Sequence, residues 1–449
     1  MFPQQATGQK TIPKDWFEKD PTADSIAGIS LDRAYQLLKG RSSQTVIVAV
    51  IDNGVDILHE DLKNVIWTNK KEIPDNGIDD DNNGYIDDVH GWNFRGAKDG
   101  TIIENEQSSA LQFYLKWHNR FEKADTTLFN SKDKKKFGIY LNARKYYLEK
   151  LNSKDSGDIL FANNINYNSS AGIANDSEYS DNKYYGSPYF KLSVNLSHGT
   201  HVAGIIAAER NNKLGVNGIA DNVLIMPILA TTAIGDERDK DVANAIYYAV
   251  NNGAKIINMS FSKLFSPDKN IVDKAVRYAE KKNVLIIHAA GNDGVDIDNT
   301  KNYHYPIAIY DDGNKAHNFI TVGWNRPLFD YRLAHPYSDY GKLNVDLFAP
   351  GSDIFSTVPN NTYDYKSGSS MSTPVASGVA TLLFSYFPTM SVKQVKEILL
   401  KSTYKPNQLV NKPQTKTPVQ FDSLSVSGGI VNAYSAIKMA IEFTKNRAK

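Results

Sequence analysis

Residues 46–51 read VIVAVI and are apolar at every position. A strand with one face in water alternates apolar and polar residues, whereas a strand in the middle of a parallel sheet is buried on both faces and is apolar throughout. Similar short runs follow along the chain, at 223–229 (VLIMPIL), 255–260 (KIINMS), 284–290 (VLIIHAA) and 319–323 (FITVG). These segments are therefore predicted to be strands of one parallel sheet.

Amphipathic stretches separate these runs. Residues 239–252 end before Gly253, a plausible helix C-cap, and residues 268–283 carry their apolar side chains at helical spacing. Alternating strands and helices predict an α/β fold with three layers, in which a doubly wound, mostly parallel sheet has helices on both faces. Active sites of such folds lie at the carboxyl ends of the strands.

The alternation is interrupted at residues 96–191, which are polar and rich in Lys, Asn, Ser and Tyr. We interpret this segment as a surface insertion within a single domain that spans residues 1–449, with 107–152 forming two helices. Residues 1–43 are interpreted as an N-terminal extension. Two closing helices are expected at 390–403 and 428–445.

Charge and composition exclude several classes of function. Basic residues number 51 and acidic residues 50, so the net charge of +1 gives no reason to expect nucleic acid as a partner. The chain has no cysteine, which excludes disulfides, thiolate metal sites and a cysteine nucleophile. No apolar run approaches the length of a membrane span. The first residues, MFPQQATGQK, also lack the apolar core of a signal peptide, so we expect either a cytosolic protein or a mature form.

Three segments carry residues suited to nucleophilic catalysis: AVIDNGVD with Asp52, SHGTHVAGIIAAE with His198, and SGSSMSTPVASGVA with Ser370. A serine hydroxyl becomes a good nucleophile only when a base takes its proton, and histidine can do so near neutral pH. A carboxylate fixes the histidine tautomer and stabilises its charged form. Each of the three residues ends a predicted strand or begins a predicted helix, and Pro374 is expected in the first turn of the last helix.

A fourth segment, VLIIHAAGNDG, places Asn292 in a glycine-flanked turn after a buried strand. Its side-chain amide, together with the backbone N–H of Ser370, would form an oxyanion hole. The neighbouring serines Ser369 and Ser372 are alternative nucleophiles, but the motif register favours Ser370. His201 lies one helical turn after His198 and is expected to be structural, since the Glu of a zinc-binding HExxH helix is missing.

The order Asp, His, Ser and the motifs D-N-G, H-G-T-H-V-A-G, A-A-G-N and G-S-S-M-S-T-P resemble those of the subtilisin-like serine proteases, or subtilases. The resemblance implies a serine endopeptidase that cleaves extended polypeptides through an acyl-enzyme on Ser370. It implies a secreted, periplasmic or cell-surface location, and we expect a monomer. It also implies substrate-binding edges at Ser260, Phe261 and Ser262 and after Leu229, with a primary specificity pocket walled by Ala289, Ala290 and Gly291. The alternative is a catalytically latent or non-enzymatic peptide-binding member of the same fold.

Residues 79–88, DDDNNGYIDD, predict a structural calcium site. Hard oxygen ligands at alternate positions of a tight loop suit calcium, and the loop resembles the first nine positions of an EF-hand. The expected ligands are the side chains of Asp79, Asp81, Asn83 and Asp87 and the carbonyl of Tyr85. Asp61, in HEDL, aligns with a calcium-binding aspartate of many subtilases and marks a second expected site, with partners near Asn211 and Asn212.

Overall fold

A computed structural model describes residues 12–95, 106–152, 185–189, 195–232 and 235–447. The first half of the chain contains α1 (Leu31–Leu38), β1 (Val46–Asp52), β2 (Trp92–Asn93), α2 (Ser109–Phe121), α3 (Ser131–Asn152), α4 (Ser197–Ala207) and β3 (Val223–Leu229). It continues with α5 (Asp239–Asn251), β4 (Ile256–Met259), α6 (Lys269–Lys281), β5 (Leu285–Ala289), β6 (Phe319–Asn325) and β7 (Leu347–Pro350). The last part contains β8 (Ile354–Val358), β9 (Thr362–Lys366), α7 (Ser369–Tyr386), α8 (Val392–Lys401), β10 (Leu409–Asn411), β11 (Pro418–Gln420) and α9 (Ala433–Arg447).

The central sheet has seven parallel strands in the order β2-β3-β1-β4-β5-β6-β7. The five strands predicted from the apolar runs are confirmed, and β2 and β7 are added at the two edges. Strand β1 is an inner strand between β3 and β4. Its residue Val46 pairs with Val223, and Asp52 pairs with Leu229. Because the strands are parallel, their carboxyl ends, including Asp52, share one edge of the sheet.

Side chains of β1 alternate between two hydrophobic clusters, which identifies the layers above and below the sheet. Val48 and Val50 belong to the cluster that includes α4, α7 and α9, whereas Ala49 and Ile51 belong to the cluster that includes α5 and α6. The structure is thus a three-layer α/β/α fold of the predicted class. Apolar residues on both faces of β1 are explained by helices that cover both faces.

The described part of the N-terminal segment, residues 12–43, packs into the first of these clusters. Trp16, Phe17 and Leu31 are buried there, and α1 packs against α9 near the other end of the chain. The segment interpreted as an extension therefore contributes to the main core of the domain.

The described part of the predicted insertion contains the two expected helices, α2 and α3. They pack on each other through an aromatic cluster that includes Phe113, Phe121 and Tyr140, and Phe265 of the main domain joins this cluster. Residues 96–105, 153–184 and 190–191 of the insertion lie outside the described residues. Each helix that the structure describes is too short or too polar to cross a lipid bilayer.

Candidate active site

Asp52 and His198 meet at the carboxyl edge of the sheet. Asp52 is the last residue of β1, and His198 is the second residue of α4. The Oδ1 atom of Asp52 lies 2.8 Å from Nδ1 of His198, which leaves Nε2 as the nitrogen that can act as a base. The Asp52 side chain is 2% exposed and the His198 side chain is 35% exposed, so the imidazole can be reached from solvent while its partner stays dry.

The residue after Asp52 fixes the position of α4. The Asn53 side chain accepts a hydrogen bond from the backbone N–H of Gly199 at 2.9 Å and donates one to the carbonyl of Asn195 at 2.5 Å. A Cβ atom on Gly199 would lie 2.2 Å from the carbonyl oxygen of Gly54, so only glycine permits this approach. The D-N-G and H-G-T-H motifs are therefore in direct contact, and Asn53 is a positioning residue that the sequence reasoning did not identify.

The charge of Asp52 sets the protonation of His198. Burial alone lowers the pKa of His198, but the negative charge and hydrogen bond of Asp52 outweigh it and hold the pKa above the ordinary value of 6.5. His201, one turn further along α4, behaves differently. Burial lowers its pKa to about 3, and its Nε2 lies 2.9 Å from the carbonyl of Ile354. Its contacts fit a structural role.

Ser370 is the second residue of α7, so its backbone N–H belongs to the first turn and has no intrahelical acceptor. Pro374 was expected in this first turn, and that expectation is wrong: Pro374 is the sixth residue of the helix. A proline at this position cannot donate to the carbonyl four residues earlier, which is that of Ser370. The hydroxyl of Ser260 donates to that carbonyl instead, at 2.9 Å, and so replaces the missing hydrogen bond.

A chain of buried polar groups supports this contact. The hydroxyl of Ser377 donates to the Asn258 side-chain oxygen at 2.8 Å, and the Asn258 amide donates to the Ser260 hydroxyl at 3.0 Å. In return, the Ser370 hydroxyl donates to the backbone carbonyl of Ser260 at 2.8 Å. The end of β4 and the start of α7 are thus joined by two reciprocal hydrogen bonds, and Asn258 is a second positioning residue that sequence reasoning missed.

Asn292 approaches the same helix start from the end of β5. Its side-chain oxygen accepts a hydrogen bond from the backbone N–H of Ser369 at 2.8 Å. A Cβ atom on Gly368 would lie 3.4 Å from that oxygen and 3.6 Å from the amide nitrogen. The oxygen is therefore engaged by the helix, and the NH₂ group remains as the donor beside Ser370.

The expected substrate-binding residues lie at the ends of two adjacent strands. Ser260, Phe261 and Ser262 follow β4, whereas Ala289 ends β5 and is followed by Ala290 and Gly291. Strands β4 and β5 are paired in parallel, so the two segments lie side by side at the carboxyl edge of the sheet. The ring centroids of Phe261 and His288 are 6.3 Å apart.

The 79–88 loop brings part of its predicted calcium ligands together. Carboxylate oxygens of Asp79 and Asp81 lie within 4.8 Å of each other and of an oxygen of Glu72, a residue that the sequence reasoning did not select. Asp87 is not in this group. Its two oxygens accept hydrogen bonds from the backbone N–H groups of Asn76 and Gly77.

The remaining loop residues hold the loop's shape. The Asn83 side-chain oxygen accepts from the N–H of Tyr85 at 2.8 Å. The Tyr85 ring packs against Trp92 and Tyr248 with centroid distances of 5.0 and 4.9 Å. These contacts fix the loop to the β2 edge of the sheet.

Asp61, the marker of the second expected calcium site, is completely buried. It lies beside the predicted loop after α4, where its two oxygens accept hydrogen bonds from the Asn212 amide at 2.6 Å and the Val216 N–H at 3.2 Å. The predicted partner loop is therefore in contact with Asp61, while calcium there stays a prediction.

Comparison with protein families gives one match over most of the chain. The model described as the subtilase family matches residues 43–423. That range includes all four segments that carry Asp52, His198, Asn292 and Ser370.

Individual proteins show the same similarity at lower coverage. A thermophilic serine proteinase of Bacillus sp. (strain AK1) is 38% identical over 197 residues, which are 44% of this chain and 44% of that protein. A cell wall-associated protease of Bacillus subtilis (strain 168) is 37% identical over 205 residues, 46% of this chain and 21% of that protein. The matched part is thus less than half of either relative.

Among solved structures, a protease from Pseudoalteromonas arctica PAMC 21717 is similar in fold. The two structures have a TM-score of 0.53, with 96% of this chain and 100% of the other covered, at 21% sequence identity. At this identity the likeness concerns the fold.

Proposed function

This chain belongs to the subtilase family, and on that premise we propose that it is a serine endopeptidase that hydrolyses extended polypeptides. The observation that carries the proposal is the 2.8 Å contact between Asp52 and His198 at the sheet edge. The start of α7 brings Ser370 to that edge, together with the Asn292 amide. These are the nucleophile, base, carboxylate and oxyanion donor that acyl transfer requires.

In the proposed reaction, His198 Nε2 takes the hydroxyl proton of Ser370 while the serine oxygen attacks the peptide carbonyl carbon. The carbonyl oxygen becomes an oxyanion, which accepts hydrogen bonds from the Asn292 amide and the Ser370 N–H. The intermediate collapses when His198 gives its proton to the leaving amine, and an acyl-enzyme on Ser370 remains. Water then repeats the sequence, with His198 as its base, and releases the acid product.

Substrate binding would also free the nucleophile. A hydroxyl has one proton, so donation from Ser370 to the Ser260 carbonyl, seen at 2.8 Å, excludes donation to His198. A substrate strand that pairs with the 260–262 edge would donate a backbone N–H to that carbonyl. The serine hydroxyl then loses its acceptor and turns to the histidine, so that activation follows substrate binding.

Digestion of a peptide library tests the proposal directly. We expect cleavage products whose ends identify internal peptide bonds, in buffer with calcium at a pH of about 8, because the histidine must be deprotonated to act as a base. Product sequences would also give the preference of the specificity pocket. A purified, folded protein that produces no cleavage above the Ser370→Ala preparation would contradict the proposal.

The pH dependence follows from the raised pKa of His198. The protonated imidazole cannot accept the serine proton, so activity should fall as the pH drops through the pKa of His198. We expect kcat/KM to rise with pH and its acid-side midpoint to lie above 6.5. A pH–rate profile measured with a small peptide substrate checks this. An acid-side midpoint below 6.5, or a kcat/KM that falls as the pH rises through the midpoint, would contradict it.

We further propose that the 79–88 loop binds calcium through Asp79 and Asp81, with Glu72 as an added ligand. Three carboxylate oxygens within 4.8 Å of one another form a hard, negatively charged donor set of the kind that calcium prefers. The ion would stabilise the folded protein and has no part in the chemistry. Removing it should therefore lower the melting temperature before it affects the catalytic rate.

Calcium is expected to raise the melting temperature by about 5 °C. Ligand at 100 times its Kd stabilises by about 2.7 kcal/mol, and each kcal/mol shifts the Tm of a large domain by roughly 2 °C. Scanning calorimetry with calcium and with a chelator measures this shift. Glu72→Gln should reduce it, whereas Asp80→Asn is the matched control, because Asp80 accepts from Ile73 and Asn76 instead. Equal shifts in both variants would contradict the ligand set.

We also propose that the protein acts outside the cytoplasm or at the cell surface, on exposed polypeptides. The similarity to a cell wall-associated protease, 37% identical over 205 residues, supports this. Fractionation of the native source with an antibody to the chain would test it, and recovery in the cytosolic fraction alone would contradict it.

A further inference from the structure

A buried charged cluster lies next to the active site and has no role in the proposed hydrolysis. Asp339, in the loop between β6 and β7, is completely buried, and His304 is 5% exposed. Nδ1 of His304 lies 2.6 Å from Asp339 and Nε2 lies 2.9 Å from Asp293. Each ring nitrogen therefore faces one carboxylate, an arrangement that fits an imidazolium between two acids better than ligands converging on a metal ion.

The carboxylates hold His304 in its charged form. Burial acts to lower the pKa of His304, but its hydrogen bonds to Asp293 and Asp339 raise it to about 9. The positive ring in turn compensates the buried charge of Asp339. Without such a partner, a buried carboxylate is strongly disfavoured.

Asp339 holds the backbone on both sides of Asn292. Its own N–H donates to the Gly291 carbonyl at 3.3 Å. Its Oδ1 accepts from the N–H groups of Asp293 at 3.2 Å and of Val295 at 2.8 Å. Asn292 is thus the centre of a turn in which the residues before and after it are bonded to a single side chain and its backbone.

The turn is tightly packed at Gly291. Gly291 has φ of +122°, a conformation that L side chains rarely adopt. A Cβ atom there would lie 2.1 Å from Oδ2 of Asp339 and 2.7 Å from Nδ1 of His304. The charged pair therefore lies directly against the turn backbone, and a change in the pair must move the turn.

We propose that Asp339, paired with His304, is a positioning residue that holds the 291–295 turn so that the Asn292 amide stays aimed at the oxyanion beside Ser370. The inference rests on the proposed function and adds to it the group that orients the oxyanion donor. A misplacement of about 1 Å can cost about 100-fold in rate. Loss of the Asp339 contacts should therefore appear in kcat, with little change in KM.

A double-mutant cycle tests this role. Asn292→Ala is expected to lower kcat by about 100- to 1,000-fold, and Asp339→Ala by about 10- to 100-fold. If Asp339 acts through Asn292, then Asp339→Ala in the Asn292→Ala background should lower kcat little further. Effects that multiply in the double variant, or an unchanged kcat in folded Asp339→Ala, would overturn the proposal.

Two further variants separate positioning from general damage. Asp339→Asn keeps an oxygen for the turn N–H groups, so it should recover most of the kcat lost in Asp339→Ala. Asp346→Ala is the matched control. Asp346 is buried, accepts a hydrogen bond from the Thr321 N–H and pairs with Lys396. It directly precedes β7 and so lies at the amino ends of the strands, opposite to the active site. Its kcat should stay close to the wild-type value.

Crystal structures of the two Asp339 variants give a readout that needs no activity. We expect the contact between the Ser369 N–H and the Asn292 oxygen, 2.8 Å in the parent, to be lost in Asp339→Ala and kept in Asp339→Asn. A kept contact in Asp339→Ala overturns the positioning role. An inactive wild type, in contrast, contradicts the proposed function and leaves this structural comparison to decide the inference.

Discussion

Replacing Ser370 with alanine is expected to lower kcat by about a million-fold. Loss of the serine of such a triad costs about this much, because no other group can form the acyl-enzyme. A residual rate of about 1,000- to 10,000-fold over the uncatalysed reaction should remain from the oxyanion donors and substrate binding. Kinetics with a peptide substrate measure the loss of turnover, and labelling with a fluorophosphonate probe measures the loss of the reactive serine.

The probe also decides between the serines of the G-S-S-M-S motif. Mass spectrometry of the labelled wild type should locate the adduct on Ser370. Ser372→Ala is the matched control, because its hydroxyl donates to the Ala349 carbonyl and points into the core; it should label and cleave as the wild type does. If folded wild-type protein is not labelled, the chain would instead be the latent or peptide-binding member of its family. An adduct on another serine would contradict Ser370 as the nucleophile.

The fold was predictable where burial leaves a direct mark on the sequence. The inner strands are apolar at nearly every position because helices cover both faces of the sheet, as at β1. The edge strand β2 has only two residues, too few to form a pattern. Helix α1 has a polar outer face and eight residues, and what holds it is its contact with α9, about 400 positions later, which no local pattern can reveal.

The residues of the candidate site also differ in how far the sequence could predict them. The residues that would perform chemistry lie in motifs, whereas the residues that hold them depend on contacts between distant segments. Among the residues that hold the site, Asn258 is the exception that the sequence could have revealed, because a polar residue in the apolar run KIINMS must find buried hydrogen-bond partners. It finds Ser260 and Ser377. Glu72 carried no such signal, since one acidic residue in a polar segment is ordinary.

Replacing Asp52 with asparagine is expected to lower kcat/KM by about 10,000-fold. Asparagine keeps the size of the side chain, but its amide can present a donor to Nδ1 of His198 and so favour the wrong tautomer. It also carries no charge to stabilise the imidazolium that forms in the transition state. Both losses act on the chemical step, so KM should change far less than kcat.

The acid-side midpoint of the pH profile should move to lower pH in this variant, whereas a general loss of activity would lower the rate without moving the midpoint. Burial lowers the pKa of His198, and the charge of Asp52 raises it. Once that charge is removed, burial and the positive charge of Lys366 both act to lower the pKa, so the acid-side midpoint should fall below 6.5. Asp56→Asn is the control, because Asp56 lies in the same turn but bonds Leu58 and Asn360 and should leave the midpoint in place. A midpoint in Asp52→Asn that stays at the wild-type value would mean that the limb reports a different group and that His198 is not the base.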